Sequence, residues 1–320
     1  MSSLSAGGHV ALALSLTLSL TLGAIGCGAG PAPAPVHEPP MEMLIPPGAT
    51  TIVALSPSAI FASAELSSVA NELVSADRLE AFRARHGVDL RTLERLVVAE
   101  YGEPGRDREV GGTLYLARGP FHAEVVVAEI GNRMSPLESQ DDHPMRRAGM
   151  YRLSRVELLA LGPTTVALTD GPPELAGRIV SMGRAASTRA EVDVGMQFNA
   201  PLVLMRHGRP DLPPTGIGLL LARLEHTTLS FEAVGSHLEV QVHLDGEFPP
   251  GADENFRTLV SSVAESDLGR ALGMQEVEES LVVEATSTSV SMHAEIDAHT
   301  LSSGLRELVG AEMNELLNIE

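Results

Sequence analysis

The stretch TTLSFEAVGSHLEVQVHL, residues 227–244, decides the fold class, because apolar and polar side chains alternate on both sides of a central glycine. Alternation with a period of two is typical of a strand that buries one face and exposes the other to water. Leu229, Phe231 and Ala233 are predicted to face one side, and the apolar side chains of residues 238–244 do the same in the returning strand. The segment therefore predicts an antiparallel hairpin with one buried face.

The pattern continues outward from this hairpin over residues 198–320. A strand precedes it in APLVLMRHG (residues 200–208), and a helix with one apolar stripe follows it in ADENFRTLVSSVAES (residues 252–266). Two further strands come next, and a final helix is predicted from Thr300 to Leu317. This part of the chain thus reads as strands that pair in hairpins, with helices between them.

Residues 49–190 follow a similar order. Helical periodicity occupies residues 57–87 between two strands, and Gly162 with Pro163 turns a later hairpin. Each of the two units is predicted to have the order β-α-β-β-α-β-β-α, a repeat of pattern and not of identical letters. The predicted fold class is therefore α+β, with two similar units of mainly antiparallel sheet and packed helices, residues 49–190 and 198–320.

The amino terminus has the pattern of a secretion signal. Residues 10–25 form an uncharged apolar run that is short for a membrane-spanning helix. AIGCGAG (residues 24–30) then resembles the lipobox of bacterial lipoproteins, in which the cysteine after a small residue is lipidated and becomes the mature amino terminus. The resemblance implies a lipoprotein signal peptide over residues 1–26 and a palmitate-type lipid on Cys27. The alternative is an uncleaved anchor with an ordinary small residue at this position.

Cys27 is the only cysteine of the 320 residues, so the chain has no internal disulfide and no cysteine-based metal centre. Residues 27–48 are rich in proline and poor in periodicity, and they are predicted to be the lipidated cysteine followed by an extended linker. Attachment to the membrane is expected through the lipid, which places the protein in the cell envelope, on the outer membrane or the periplasmic side.

The charge of the chain excludes several classes of partner. The formal net charge is −20, and all 22 basic residues are arginines. A surface of this sign repels nucleic acid and anionic lipid headgroups, so no nucleic-acid partner is expected. Aromatic residues make up 3 % of the chain and tryptophan is absent, which argues against stacking platforms for bases or sugars.

One motif raises the possibility of phosphoryl transfer. Residues 203–211, VLMRHGRPD, resemble the active-site opening of the histidine phosphatases, in which the histidine of Arg-His-Gly is the phosphorylated nucleophile. Here His207 follows about 150 folded residues, and only 113 residues come after it. The same triplet at residues 85–87 reads as a helix carboxyl terminus with glycine as the C′ residue. The motif at His207 is therefore interpreted as a strand end and a turn. Under the phosphatase alternative, Arg257 would be a second phosphate clamp and His237 or His243 would be the second histidine.

Two polar stripes offer weak candidate metal ligands. In the strands at residues 237–245 and 289–297, histidines and carboxylates recur at every second position, so they share one face of each strand. The weak candidates are His237, His243, His293 and Glu295, which would lie within reach of one another if the two strands are neighbours. An exposed sheet face requires polar residues at the same positions, so no metal site and no cofactor are predicted.

The sequence contains no G-x-S-x-G, no G-x-G-x-x-G after a strand and no phosphate-binding loop with lysine, so no catalytic residue is assigned. Over residues 24–318 the chain resembles uncharacterised bacterial lipoproteins with duplicated α+β domains, a group without a known activity. The function predicted is a non-catalytic, lipid-anchored binding or scaffold module of the envelope with an unidentified protein partner. The alternative is an envelope enzyme, either a histidine-phosphatase-like hydrolase or a metal-dependent hydrolase.

Overall fold

The structure, a computed structural model, describes most of the chain from residue 38 onward. The described residues are 38–102, 111–136, 145–151, 154–187, 200–207, 223–235, 237–266, 269–270, 274–301 and 303. The predicted signal peptide (residues 1–26), Cys27 and residues 28–37 lie outside the described residues.

A single antiparallel sheet organises the described chain. Its twelve strands are β1 (Ala49–Leu55), β2 (Arg95–Tyr101), β3 (Gly112–Arg118), β4 (Ser135–Pro136), β5 (Arg146–Tyr151), β6 (Ser154–Ala160), β7 (Thr165–Asp170), β8 (Leu202–His207), β9 (Leu224–Val234), β10 (His237–Gly246), β11 (Val282–Ala285) and β12 (Ser289–Asp297). They lie in the order β11-β12-β10-β9-β8-β1-β2-β3-β7-β6-β5-β4, and each described pairing is antiparallel. The strands of both predicted units thus join one sheet through the β1–β8 pair.

Seven α-helices accompany the sheet within the described residues. They are α1 (Pro57–Ala62), α2 (Ala64–Leu73), α3 (Ala76–His86), α4 (Ala123–Gly131), α5 (Pro173–Ser187), α6 (Ala252–Ala264) and α7 (Val277–Ser280). Short 3₁₀ turns occupy Met41–Leu44, Leu90–Thr92 and Met274–Glu276, and residues 298–301 and 303 are helical at the start of the predicted last helix. None of the helices in these ranges has the length and apolar character that a bilayer crossing requires.

Local sequence explains where several helices begin and end. Pro57 opens α1, where its missing N–H is not needed by the helix. The Ser63 side chain accepts the N–H of Leu66 and so caps α2. Gly87 ends α3 with φ of 71°, the left-handed conformation that glycine adopts without a steric penalty. The interpretation of the first Arg-His-Gly as a helix terminus is therefore confirmed.

The sheet has two faces with different coverings. The first face carries Ile52, Val97 and Leu116, which pack against the 3₁₀ turn at Met41–Leu44 and against α5. The second face is covered by α4 toward the β6 and β7 side and by α2, α6 and α7 toward the β10 and β12 side. The first face of β9, β10 and β12 instead carries polar side chains, as the alternation in residues 227–244 predicts.

The end of the predicted linker belongs to the folded body. Met41, Leu44 and Ile45 are buried in the core of the first face, and Leu44 is fully buried. Hydrogen bonds to backbone carbonyls hold the segment, from Arg118 to Pro39 (2.6 Å), from Tyr101 to Pro46 (2.9 Å) and from Arg178 to Pro47. The prediction of an extended linker up to residue 48 is therefore wrong for residues 38–47. Their few apolar side chains lack periodicity, but they fill a groove that exists only in the assembled sheet.

The α+β fold class with a large antiparallel sheet is confirmed, while the duplication into two units stays a prediction. The hairpin turned at Gly162 and Pro163, the helix at α4 and the helix at α6 form where the pattern places them. The strand β5, RRAGMY, was not predicted, because its sequence has neither alternation nor β-branched residues. It forms because its backbone pairs with the edge of β6 that β7 does not occupy.

Candidate functional site

The most distinctive feature of the structure is an apolar cavity of about 630 Å³ between the second face of the sheet and helices α1 to α3. Side chains from five neighbouring strands form its floor: Leu55, Leu96, Leu202, Leu229, Phe231 and Val240. The floor therefore spans the junction of β1 and β8, where Leu55 and Leu202 are paired across the two strands. This junction joins the halves of the chain that the sequence divides into two units.

The roof of the cavity is built from the helices that follow β1. Ile60 and Phe61 of α1 and Leu66, Val69 and Ala70 of α2 point into it. Leu66 and Val69 also belong to the core that β10 and β12 form with α6. A segment from the first half of the chain thus covers strands of the second half, and the cavity lies beneath it.

The size and chemistry of this cavity distinguish it from a packing defect. Protein cores contain few voids larger than one water molecule, whereas this cavity has a volume of about 630 Å³ and is open to solvent on one side. All of its described lining residues are apolar. Water or a polar ligand in this space would lose hydrogen bonds without replacement, so the cavity suits an apolar ligand.

Sequence reasoning identified the lining residues only as core. Alternation in β9 and β10 correctly places Leu229, Phe231 and Val240 on one face. It carries no signal for whether a helix packs directly against that face or stands off from it. The half-buried state of Leu229 and Phe231, unusual for large apolar residues of a central strand, becomes visible only in the structure.

The four weak metal candidates all lie on the first face of β10 and β12. These strands are neighbours, so the condition attached to that hypothesis is met: His293 is opposite Gln241, and Glu295 is opposite Glu239. The Nε2 atom of His293 lies 3.2 Å from Oε1 of Glu239, which also accepts a 2.7 Å hydrogen bond from Gln241. His293 is thus close to one carboxylate, and Gln241 already uses an oxygen of that carboxylate.

His243 is turned toward other partners. Its Nδ1 atom lies 3.0 Å from Ser291 Oγ and its Nε2 atom lies 3.1 Å from Asp245 Oδ1. His237 lies opposite Asp297, at the far end of β10. In the part of the chain that the structure describes, no group of three or more His, Cys, Asp or Glu side chains is placed to hold a metal ion. The structure therefore arranges the candidate ligands as a row and does not close them into a cage.

The second Arg-His-Gly ends strand β8. Arg206 and His207 are consecutive and so point to opposite faces of the sheet. β8 is flanked by the antiparallel strands β1 and β9, and not by the parallel strands whose carboxyl ends form phosphate sites in α/β folds. Arg257 lies on α6 and donates to the carbonyl oxygen of Leu281. The local geometry thus matches a strand end.

His207 instead pairs with a residue that the sequence did not single out. His226 of β9 lies directly opposite, and the two Nδ1 atoms are 2.8 Å apart. The rings are edge to face, with centroids 4.8 Å apart. Burial and the neighbouring charge of His226 both lower the pKa of the His207 imidazole. One imidazole donates and the other accepts, so at least one of the two rings is neutral.

Comparison with known proteins gives no family for this chain. No protein-family model matches it, and no curated protein matches it. Among solved structures it is similar to TP0453 in crystal forms III, I and IV, with 10–11 % sequence identity and TM-scores of 0.44–0.46. The alignments cover 84–85 % of this chain and 96–98 % of TP0453. Likeness at this level assigns neither a family nor an activity.

Proposed function

We propose that this protein is a non-catalytic, lipid-anchored binding module of the cell envelope, and that its ligand is a fatty acyl chain. The observation that carries the proposal is the apolar cavity of about 630 Å³ between α1 to α3 and the sheet. Its volume is in the range of small-molecule sites, about 300–1,000 Å³, and each methylene moved into it from water contributes about 0.8 kcal/mol.

The chemistry of the walls favours an acyl chain over other apolar ligands. Leu, Val and Ile side chains dominate, and Phe61 and Phe231 are the aromatic side chains among the described lining residues. An acyl chain needs no hydrogen-bonding partner inside the cavity, and its polar head stays at the mouth. The expected anchor at Cys27 places the body beside a membrane, where such ligands are concentrated.

The predicted duplication belongs to the same proposal. Outward from β1 the sheet continues β2, β3, β7, β6, and outward from β8 it continues β9, β10, β12, β11. Strands β3 and β10 occupy the same place in the two series, and each is followed in the chain by a helix, α4 or α6. The two outer strands of each series, β7 with β6 and β12 with β11, form an antiparallel pair. This parallel supports two related units, 49–190 and 198–320, that meet at β1 and β8 beside the cavity.

The proposal is tested with the purified full chain in two steps. Organic extraction followed by mass spectrometry is expected to release fatty acid or phospholipid that has copurified with the protein. After delipidation, the fluorescent fatty acid cis-parinaric acid is expected to bind with a stoichiometry near one per chain.

The decisive variant is Ala70→Phe, which fills the cavity from α2 without adding a polar group. It is expected to weaken binding of the probe at least about tenfold, or about 1.4 kcal/mol. Ser68→Phe is the matched control, because it puts the same side chain on the exposed side of the same helix. Unchanged binding in Ala70→Phe, or the absence of both copurified lipid and probe binding, would contradict the proposal.

A further inference from the structure

We propose that His207 and His226 form a two-histidine binding site for a divalent transition-metal ion, with Cu²⁺ as the preferred ion. The two residues are 19 positions apart in the chain, and pairing of β8 with β9 places them directly opposite each other. The site lies on the first face of the sheet, and the acyl-binding cavity lies on the second. It is therefore independent of the proposed acyl-binding function.

The separation of the two nitrogens matches adjacent positions around a tetragonal ion. Two imidazole nitrogens bound at about 2.0 Å and at a right angle are about 2.8 Å apart, whereas tetrahedral ligation needs about 3.3 Å. The observed Nδ1–Nδ1 distance is 2.8 Å in a hydrogen bond between the rings, so both rings turn from this orientation to direct their lone pairs at one ion. Tetragonal geometry is typical of Cu²⁺ and Ni²⁺, and Cu²⁺ has the highest affinity in the first-row series.

Binding needs no net change of charge when both rings are neutral. In the hydrogen-bonded pair one Nδ1 carries the hydrogen, and on ligation this hydrogen is transferred to Nε2 of the same ring. Both Nδ1 atoms then offer a lone pair to the ion.

Asp245 adds a carboxylate in the same row of the sheet. It is the register partner of His226 on β10, on the side away from His207. Its Oδ1 atom lies 3.1 Å from His243 Nε2, so in this structure the Asp245 carboxylate is a hydrogen-bond partner of His243. The two histidines therefore supply the protein ligands, and water completes the coordination of the ion. The Asp245 carboxylate makes the electrostatic potential near the site more negative, which favours a cation.

The test uses the full chain, freed of metal with a chelator, and titration with Cu²⁺ followed by calorimetry and electron paramagnetic resonance. We expect one Cu²⁺ per chain and a tetragonal spectrum with coupling to two nitrogens. His207→Gln and His226→Gln are each expected to weaken binding at least about tenfold and to remove the two-nitrogen signature.

Two histidine variants are the controls. His122→Gln changes an exposed histidine before α4, and His293→Gln changes a candidate of the polar stripe; both are expected to bind Cu²⁺ as the wild type does. Because the unfolded chain separates the two ligands, Cu²⁺ should also raise the unfolding temperature of the wild type and not of His207→Gln. Equal binding in His207→Gln and wild type, or loss of binding in His293→Gln alone, would overturn the proposal.

Discussion

The Glu38 carboxylate accepts a 2.6 Å hydrogen bond from the backbone N–H of Thr164, 126 residues further along the chain. It also accepts hydrogen bonds from the hydroxyl groups of Thr164 and Thr165, and its Oε2 atom lies 3.1 Å from Arg118 Nε. One carboxylate at the start of the folded body thus joins the turn between β6 and β7 to the end of β3. The segment at residues 38–47 is therefore fastened to the sheet at its first residue.

Removing this carboxylate is expected to destabilise the protein. Glu38→Ala leaves the Thr164 N–H and the Arg118 guanidinium without their shared partner, at a cost of about 1–3 kcal/mol in the free energy of unfolding. Urea denaturation followed by circular dichroism measures the difference. Glu94→Ala, which removes an exposed carboxylate, should change the free energy by less than about 0.5 kcal/mol. If the two substitutions change the free energy of unfolding equally, the contacts of Glu38 do not stabilise the fold.

The same carboxylate predicts a pH dependence. Burial alone raises the pKa of Glu38, but hydrogen bonds from Thr165 and Thr164 and the charge of Arg118 outweigh it, so the pKa is lowered in the folded state. Between the folded and unfolded pKa values the unfolded chain binds more protons, so stability rises with pH there. The contribution is complete above about pH 5 and is lost as the pH falls below about 4.3, the value of an unperturbed glutamate. Denaturation curves of wild type and Glu38→Gln should converge on acidification, and a constant difference between them would exclude this linkage.

Truncation tests whether residues 38–47 belong to the body. A chain that begins at residue 38 should fold as the full chain does, whereas one that begins at residue 48 loses Met41, Leu44 and Ile45 from the core of the first face. In the longer chain Leu44→Ala alone is expected to cost about 2–5 kcal/mol, because its side chain is fully buried. Thermal unfolding provides the measurement. A shorter chain that unfolds at the same temperature as the longer one would mean that these residues pack without stabilising the fold.

Phosphomonoester hydrolysis is not expected. His207 is held against His226 at the end of an antiparallel strand, and Arg206 points to the opposite face of the sheet. The full chain should therefore release no phosphate from p-nitrophenyl phosphate above the uncatalysed rate. Turnover that is lost in His207→Ala and kept in His122→Ala would establish the phosphatase alternative.

Lipid attachment at Cys27 remains a prediction from the sequence, because this residue lies outside the described ones. Cells grown with labelled palmitate should incorporate the label into the wild type, and the mature chain should begin at Cys27. Cys27→Ala should accumulate as an unlabelled precursor of full length. If that variant is processed as the wild type is, or if the wild type keeps residues 1–26, the lipoprotein interpretation is wrong.

Local sequence was sufficient for those features that depend on a few neighbouring residues. Alternation in residues 227–244 identifies the strands of a hairpin and the side chains on each of its faces. Gly87 marks the end of α3, because only the conformation of one residue is involved. Features of this kind follow from backbone sterics and from the two faces of a strand, so they can be predicted without knowing the partner strands.

Long-range pairing decided the rest. The apolar cavity exists because β1 pairs with β8, about 150 residues away, and because α1 to α3 cover the strands of the other half. Burial of residues 38–47 and the contact between His207 and His226 likewise depend on which strands become neighbours. Alternation predicts that a face is apolar, but it does not predict which helix covers that face, because many different helices can pack against the same apolar surface. The tertiary structure therefore decided where the chain packs tightly and where it leaves a space that a ligand can fill.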